Sequence, residues 1–390
     1  MQAIPLRIGL IRTSLKENER RVVVHPDHLG WLPEQVRKNL VLEVGYGVPF
    51  GFSDEELRGT GVELARRDEI YRRCDVVVNF KPVQADFEAV REGGVFWCCP
   101  HFVQQYGFTQ AAIDRRLTVI AIESMHIWGE RGDKVMHAFQ KISELGGYAG
   151  VFDALRLRGI DGRYGRPRRA IVVGFGAVGR GAVYALQGLG FRDISVFTFR
   201  PPCAVENQLP GIAYRQVRGD GAGHLEVVDP DASSRPFIDE VVRADVIVNA
   251  ILQDADAPRM IIASDQLARP LARGCVIIDA ACDEGMGFPF ARPTTFDNPM
   301  FAIGDAFYYG VDHTPSYLWE SASWEISKCF VKYLPVVMGG PARWDEDETV
   351  RRAIEVRGGV VQLPKILSFQ RRAREYPHAI AQSRSAADSG

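Results

Sequence analysis

Hydrophobic and polar positions follow two rhythms along this chain. Short uninterrupted apolar runs at residues 7–12, 40–44, 76–80, 95–98 and 118–122 predict strands buried on both faces. Segments with helical spacing lie among them, at 27–38, 54–58, 67–73 and 110–116. A further apolar run at 170–173 leads into a helical pattern from about Val178, carried by Val183, Leu186 and Leu189. Strand-like runs then recur at 193–199, 245–250, 275–280 and 300–303. Such alternation is the signature of parallel α/β sheets. The proline-free stretch 135–157 predicts a long helix joining two sheets, in which Gly146, Gly147 and Gly150 either admit a close backbone approach or mark a kink. A second long helix, from 315 to 334 and stopped by Pro335, would carry the chain back. The expected fold class is therefore α/β: two Rossmann-like, doubly wound parallel-sheet domains joined by long helices, with a cleft between them. Residues 1–140 with 316–390 would form a discontinuous substrate domain, and 141–315 a dinucleotide-binding domain. The tail beyond Pro377, rich in Ala, Ser, Arg and Asp, is expected to be disordered.

The sharpest local signal is Ile171-Val-Val-Gly-Phe-Gly-Ala-Val-Gly179, a glycine-rich turn set between a strand pattern and a helix pattern. Gly174 permits the tight turn, Gly176 lets a pyrophosphate approach the backbone, and Gly179 lets helix and strand pack closely. Ala177 and Val178 open the helix, whose N-terminal N–H groups and positive dipole end suit phosphate. An NAD-binding unit usually carries Asp or Glu about 20 residues further on, where it takes the ribose 2′-hydroxyl. Here Thr198 stands at that place and Arg200 follows. Without a carboxylate there is no repulsion of a 2′-phosphate, and a guanidinium can pair with it. The pattern favours NADP(H) over NAD(H), the alternative being that Arg200 is only a solvated loop residue ahead of Pro201-Pro202.

Composition narrows the class without changing the fold. The chain has 390 residues, 46% hydrophobic and 25% charged, enough for two domains with their own cores. A formal net charge of −2 argues against a nucleic-acid or membrane-surface role, and no apolar run reaches the ~18 residues of a membrane span. The N-terminus shows no signal-peptide pattern, and the seven cysteines show no C-x-x-C spacing. A cytoplasmic location is expected.

Outside the glycine turn, four places carry candidate chemistry. Arg20 and Arg21 form a basic pair ahead of an apolar run, either a solvated surface pair or a clamp for a substrate carboxylate. Lys81 and His101 each follow a predicted buried strand, and catalytic groups of α/β sheets gather at carboxyl ends of strands. A lysine there is either desolvated toward acid/base use or snorkels into water. His101 taken singly also reads as a structural histidine. Asp283 and His313 follow strand-like segments of the second sheet, where they could orient the nicotinamide ribose or polarise a substrate, or simply serve as loop and turn residues. His25, His28, His126, His137, His224 and His378 show no helical or hairpin pair with metal-ligand spacing, so no metal is expected.

Taken together these residues resemble the alanine dehydrogenase and pyridine-nucleotide transhydrogenase superfamily, within it the carboxyethylornithine synthases and lysine-forming saccharopine dehydrogenases. The marks are Asn18-Glu-Arg-Arg-Val22 with Pro26, Asp75-Val-Val-Val-Asn-Phe-Lys-Pro82, and His101. Further along come Gly147-Tyr-Ala-Gly-Val-Phe-Asp-Ala-Leu155, the glycine turn, Ile278-Asp-Ala-Ala-Cys-Asp283, Thr294-Thr-Phe-Asp-Asn-Pro299 and Asp312-His-Thr-Pro-Ser316. The resemblance runs to about Gln370. It implies a two-domain dehydrogenase acting on the carbon–nitrogen bond of an amino acid. It implies also that Arg21 holds a substrate carboxylate, that Lys81 and His101 serve substrate binding and proton transfer, and that Asp283 sits beside the nicotinamide. A homo-oligomer, with a dimer as the guess, is expected on the same ground.

The chain departs from the alanine enzymes, which have Asn in place of His313 and an acid in place of Thr198. The Asp-His-x-Pro-Ser pattern is similar to saccharopine dehydrogenase, and the Gly147–Leu155 stretch to carboxyethylornithine synthase; both relatives join two substrates through a secondary amine. The expected function is thus an NADPH-dependent opine-type reductive condensation of a 2-oxo acid, pyruvate-like, with an amino-acid amine, ornithine- or lysine-like. The alternatives are a saccharopine dehydrogenase-like or alanine dehydrogenase-like amino-acid dehydrogenase and, from another class, a non-catalytic nucleotide-binding module.

Overall fold

Strands form where the apolar runs predict them, because a parallel strand covered on both faces needs no polar side. The computed structural model describes residues 5–254 and 257–380. The chain divides into two compact units, one built from the chain up to Gln140 and from Trp319 onward, the other from Lys141–Leu318.

In the first unit, β1 (Ile8–Leu10), β2 (Leu40–Glu43), β3 (Glu63–Ala65), β4 (Val76–Asn79), β5 (Val95–Cys98) and β6 (Thr118–Ala121) lie in the order β3-β2-β1-β4-β5-β6. All five pairings are parallel. The sheet continues past β6 with the antiparallel strands Ile354–Arg357 and Val360–Val361. Every residue of β1, β2, β4 and β5 is buried. The direction of winding reverses between β1 and β4, which places the functional crevice of such a sheet at the carboxyl ends of those strands.

Three sequence expectations change here. Residues 27–38 are not one helix: a 3-10 turn, Pro26–Trp31, is followed by the short helix Glu34–Arg37. Pro33 forces Leu32 into the extended region, at ψ 138°, and this breaks the helix. Residues 134–137 form a hairpin rather than the start of a long helix, with β7 (His126–Trp128) paired to β8 (Lys134–His137). The turn that closes it, with Gly132 at φ 75°, is held by Gly129 N–H donating to the Asp133 carbonyl. The helix that follows is Gln140–Leu157. Pro335 does not stop the second long helix, which runs Trp319–Met338. Its ring lies at an exposed position while Leu334, Val337 and Met338 are buried, so packing holds the last turn although one N–H is missing.

In the second unit, β9 (Arg169–Val173), β10 (Asp193–Thr198), β11 (Ala213–Gly219), β12 (Leu225–Val228), β13 (Ser234–Pro236), β14 (Val246–Asn249), β15 (Val276–Asp279), β16 (Met300–Ile303) and β17 (Ala306–Tyr309) form one sheet. Its order is β13-β12-β11-β10-β9-β14-β15-β17-β16. The six parallel members, β11-β10-β9-β14-β15-β17, repeat the doubly wound order of the first unit. The sixth parallel strand is β17, which the sequence pattern passed over; the run at 300–303 pairs antiparallel to it at the sheet edge.

Glycine sets the packing of two helices of this unit. A Cβ on Gly147 would stand 1.9 Å from the Val178 carbonyl oxygen, and one on Gly181 1.7 Å from that of Glu144. The helices Gln140–Leu157 and Ala177–Gly188 therefore touch backbone to backbone, the close-approach alternative for Gly147. Among the described residues, no helix is long and apolar enough to cross a membrane. The end of the polar tail, residues 381–390, lies outside the described residues.

Candidate active site

Adjacent strands of the first unit deliver titratable side chains at one edge of the sheet. Lys81 follows β4, Cys99 and His101 follow β5, and Glu123 lies in the 3-10 turn Ile122–Ser124 after β6. The Lys81 ammonium nitrogen stands 2.7 Å from His101 Nε2. The His101 backbone N–H donates to Glu123 Oε1 over 2.6 Å, and His101 Nδ1 lies 3.9 Å from the same oxygen. His101 adopts a left-handed φ of 49°, a conformation that costs a non-glycine residue energy and is retained where the surroundings impose it. An ammonium that donates into Nε2 leaves the ring proton on Nδ1, the nitrogen turned toward Glu123.

Burial raises the Glu123 carboxyl above the usual carboxylate range, opposed by the backbone N–H groups of Glu123 and His101 and by the Lys81 charge. Glu355, which accepts from Ser124 Oγ at 2.5 Å, is pushed up to about 8 by burial and then by the charge of Glu123. Two interacting carboxylates in such a place hold a proton that one alone would lose. Burial also raises the Cys99 thiol, so it stays protonated.

The end of β4 is held from below. Asp86 accepts from Asn79 Nδ2 at 3.1 Å, from the Val83 N–H at 2.7 Å and from the Tyr71 hydroxyl at 2.5 Å. Ser14 Oγ donates to the Lys81 carbonyl. Arg21 is buried with its guanidinium 4.6 Å from the centre of the Phe80 ring. Its Nε donates to Glu19 Oε1 over 2.8 Å and an Nη2 proton goes to the other Glu19 oxygen. Glu19 thus uses two of the five guanidinium donors and fixes the plane of the fork. Arg20 is exposed and is not gathered with Arg21.

In the second unit the glycine turn has the form its spacing requires. Gly174 has φ 97°, and a Cβ there would stand 2.6 Å from the Ala250 carbonyl oxygen. A Cβ on Gly179 would stand 2.1 Å from the Gly174 carbonyl oxygen. Gly176 is different: a Cβ there meets nothing within 4 Å, so the backbone is open on that side. Gly176 is also the N-cap of the helix Ala177–Gly188, which has no side-chain cap. Open backbone at an uncapped helix start fits a dinucleotide pyrophosphate, with Ala177, Val178 and Gly179 supplying N–H groups. Thr198 ends β10, buried, and its Oγ1 accepts from the Arg200 N–H at 3.3 Å. The exposed Arg200 reaches back to the Phe175 carbonyl at 3.4 Å, which sets it over the glycine turn.

Asp283 and His313 sit differently within this unit. Asp283 is half-buried, and desolvation raises its carboxyl. The loop before it is anchored by Asp279, which accepts from Asn249 Nδ2 at 2.9 Å, the Tyr308 hydroxyl at 3.0 Å and the Cys282 N–H at 3.0 Å. Burial pushes Asp279 up to about 6. His313 is buried, packs edge-on against Phe296 at 4.5 Å, and engages Asp312 through Nδ1.

Sequence spacing missed Glu123, Glu19 and the grouping of Cys99 with His101. The ligand atoms of Cys99, His101 and Glu123 all lie within 4.8 Å of one another, an arrangement that could hold a metal ion. No local spacing announces it, because the residues come from the ends of two different strands. β7 and β8 also set His126 opposite His137, ring centroids 5.1 Å apart, a cross-strand pairing that spacing along the chain does not announce. Each of those rings bonds a backbone carbonyl, His126 to Ser124 at 3.0 Å and His137 to Ile122 at 3.2 Å.

Two family profiles match the chain: the alanine dehydrogenase/PNT N-terminal domain over residues 10–145 and the C-terminal domain over residues 157–364. The alanine dehydrogenase of Mycobacterium tuberculosis is 25% identical over 346 residues, covering 84% of this chain and 86% of that protein. The N(5)-(carboxyethyl)ornithine synthase of Clostridium botulinum is 26% identical over 331 residues, covering 81% and 90%. A solved L-alanine dehydrogenase superposes with a TM-score of 0.71 at 17% identity, covering 93% of this chain and 98% of that one. A transhydrogenase from Sinorhizobium meliloti gives 0.68 at 19% identity, covering 91% and 99%.

Proposed function

The chain belongs to the alanine dehydrogenase/PNT family, and from that premise we propose that it is an NADPH-dependent opine-type oxidoreductase. At the coarser level it is an oxidoreductase of amino-acid metabolism that works with a pyridine nucleotide. The finer reading is a reductive condensation: the amine of an amino acid adds to the carbonyl of a 2-oxo acid, the carbinolamine loses water, and the imine is reduced to a secondary amine. The bound nicotinamide supplies the hydride for that reduction.

The observation that carries this reading is the 2.7 Å bond from the Lys81 ammonium to His101 Nε2, backed by Glu123. Imine formation needs a proton removed from the attacking amine and a proton delivered to the departing hydroxyl. A lysine and an imidazole sharing a proton can do both without bulk water, each step worth roughly 10²–10⁴-fold. Glu123 holds the His101 backbone and faces Nδ1, so it positions the ring and steadies an imidazolium. Arg21, its plane fixed by Glu19, keeps three donors for the oxo-acid carboxylate. Gly174, Gly176, Ala177, Val178 and Gly179 would cradle the pyrophosphate, Arg200 beside Thr198 would pair with a 2′-phosphate, and Asp283 would serve the nicotinamide end. His313, engaged by Asp312 and packed on Phe296, would contribute to substrate binding after β17.

The test is a matrix of 2-oxo acids against amines, read by NADPH loss and product mass. Pyruvate with ornithine comes first and 2-oxoglutarate with lysine second. The expected product is a secondary amine whose mass is the sum of both substrates, less water, plus two hydrogens. If ammonium replaces the amino acid at equal kcat/KM, the condensation reading falls and ammonia-dependent amino-acid dehydrogenation takes its place.

A further inference from the structure

Cys99, His101 and Glu123 present a sulfur, an imidazole nitrogen and a carboxylate oxygen within 4.8 Å of one another. Cys99 Sγ lies 3.4 Å from His101 Nε2, close to the spacing of two neighbouring ligands on a tetrahedral ion. Thiolate with imidazole and carboxylate is a donor set that selects zinc-like cations over magnesium or calcium. Proximity is not the whole case. Glu123 Oε1 accepts the His101 N–H, and the Glu123 carboxyl is also the side-chain partner of the Cys99 thiol, so all three donors already face one another. The scaffold is stiff as well, since β5 and β6 are paired in parallel up to Cys98 opposite Ala121, directly before the loops that carry the three residues. His101 is half exposed, which leaves a route for an ion from solvent.

We propose that Cys99, His101 and Glu123 form a binding site for a zinc-type divalent cation, and that its occupancy displaces Lys81 from His101. The Nε2 lone pair cannot serve both the Lys81 ammonium and a cation. On binding, the Cys99 S–H bond breaks, the sulfur lone pair goes to the metal and the proton to solvent, with no change of oxidation state. Water completes the tetrahedron. Cation binding would therefore switch off the proton-transfer pair; that consequence rests on the proposed roles of Lys81 and His101, whereas the binding does not.

The test is titration of the reduced full chain with cobalt(II), whose thiolate ligation gives a near-ultraviolet charge-transfer band. One equivalent should bind with that band, zinc should displace it, and Cys99→Ser should abolish it. Cys203→Ser, at an exposed cysteine elsewhere, should retain it. Lys81→Met, which removes the competing ammonium, should bind cobalt at least threefold more tightly, and this variant decides the matter if Cys99→Ser does not fold. The absence of the band in the parent chain, its survival in Cys99→Ser, or unchanged affinity in Lys81→Met overturns the proposal. If cobalt binds as expected and turnover stays at full rate, the cation site stands and the proton-transfer reading falls.

Discussion

The two sheets share a strand order and differ in what ends their strands. In the first unit the order β3-β2-β1-β4-β5-β6 leads into Lys81, His101 and Glu123. In the second, the same order leads into Gly174, Gly176 and an uncapped helix start. One sheet presents protons and charge on side chains, and the other presents bare backbone. Topology thus says where a site lies, and the residue type at each strand end says what it does.

The largest effect that should separate the two units is on turnover. Lys81→Met is expected to lower kcat by roughly 10²–10⁴-fold while NADPH affinity, measured by fluorescence titration, stays within about twofold. A parallel loss of NADPH affinity would show that the division of labour is wrong. Gly176→Ala should do the reverse. The added methyl meets no protein atom within 4 Å, so Tm should hold, yet it occupies the space where phosphate would approach. NADPH Kd should rise about tenfold or more, on the order of 1.4 kcal/mol; an unchanged Kd removes the pyrophosphate from that turn.

A smaller effect should sharpen the assignment of cofactor. Arg200→Ala should reduce the preference for NADPH over NADH by about tenfold in the ratio of kcat/KM, since one charge-assisted pair is lost. Equal use of NADH by the parent chain would discard the 2′-phosphate role.

The smallest concerns acid stability of the first unit. Burial lowers His28 from 6.5 to about 4, and burial also lowers His25 against the opposing charges of Asp27 and Glu320. A depressed imidazole means the unfolded chain takes up protons first. Stability from His28 is therefore intact above pH 6.5 and falls as pH drops from there toward 4. Tm of the parent should decline relative to His28→Leu across that window, and parallel curves would deny the effect.

Much of the architecture was legible in the chain itself. Apolar, β-branched runs such as Val76-Val-Val and Ala170-Ile-Val-Val173 read as doubly covered strands, and three glycines at fixed spacing constrain backbone within a few residues. Lys81 and His101 were readable for the same reason, as each directly follows such a run. Less was legible where local pattern is ambiguous: β17 carries two tyrosines and a single aliphatic residue, and the 134–137 strand of the hairpin mimics the first turn of a helix.

What the sequence alone determined is what neighbours along the chain decide: strand burial, the glycine turn, and the side chain that leaves each strand. Only the tertiary structure decided which strand ends lie side by side. That brought Lys81 and Glu123 to His101, and it carried a helix through Pro335. The physical reason is one of range. Backbone preference and hydrophobic periodicity act over a few residues, whereas pairing, desolvation and packing depend on groups that meet only when the sheet has closed around them.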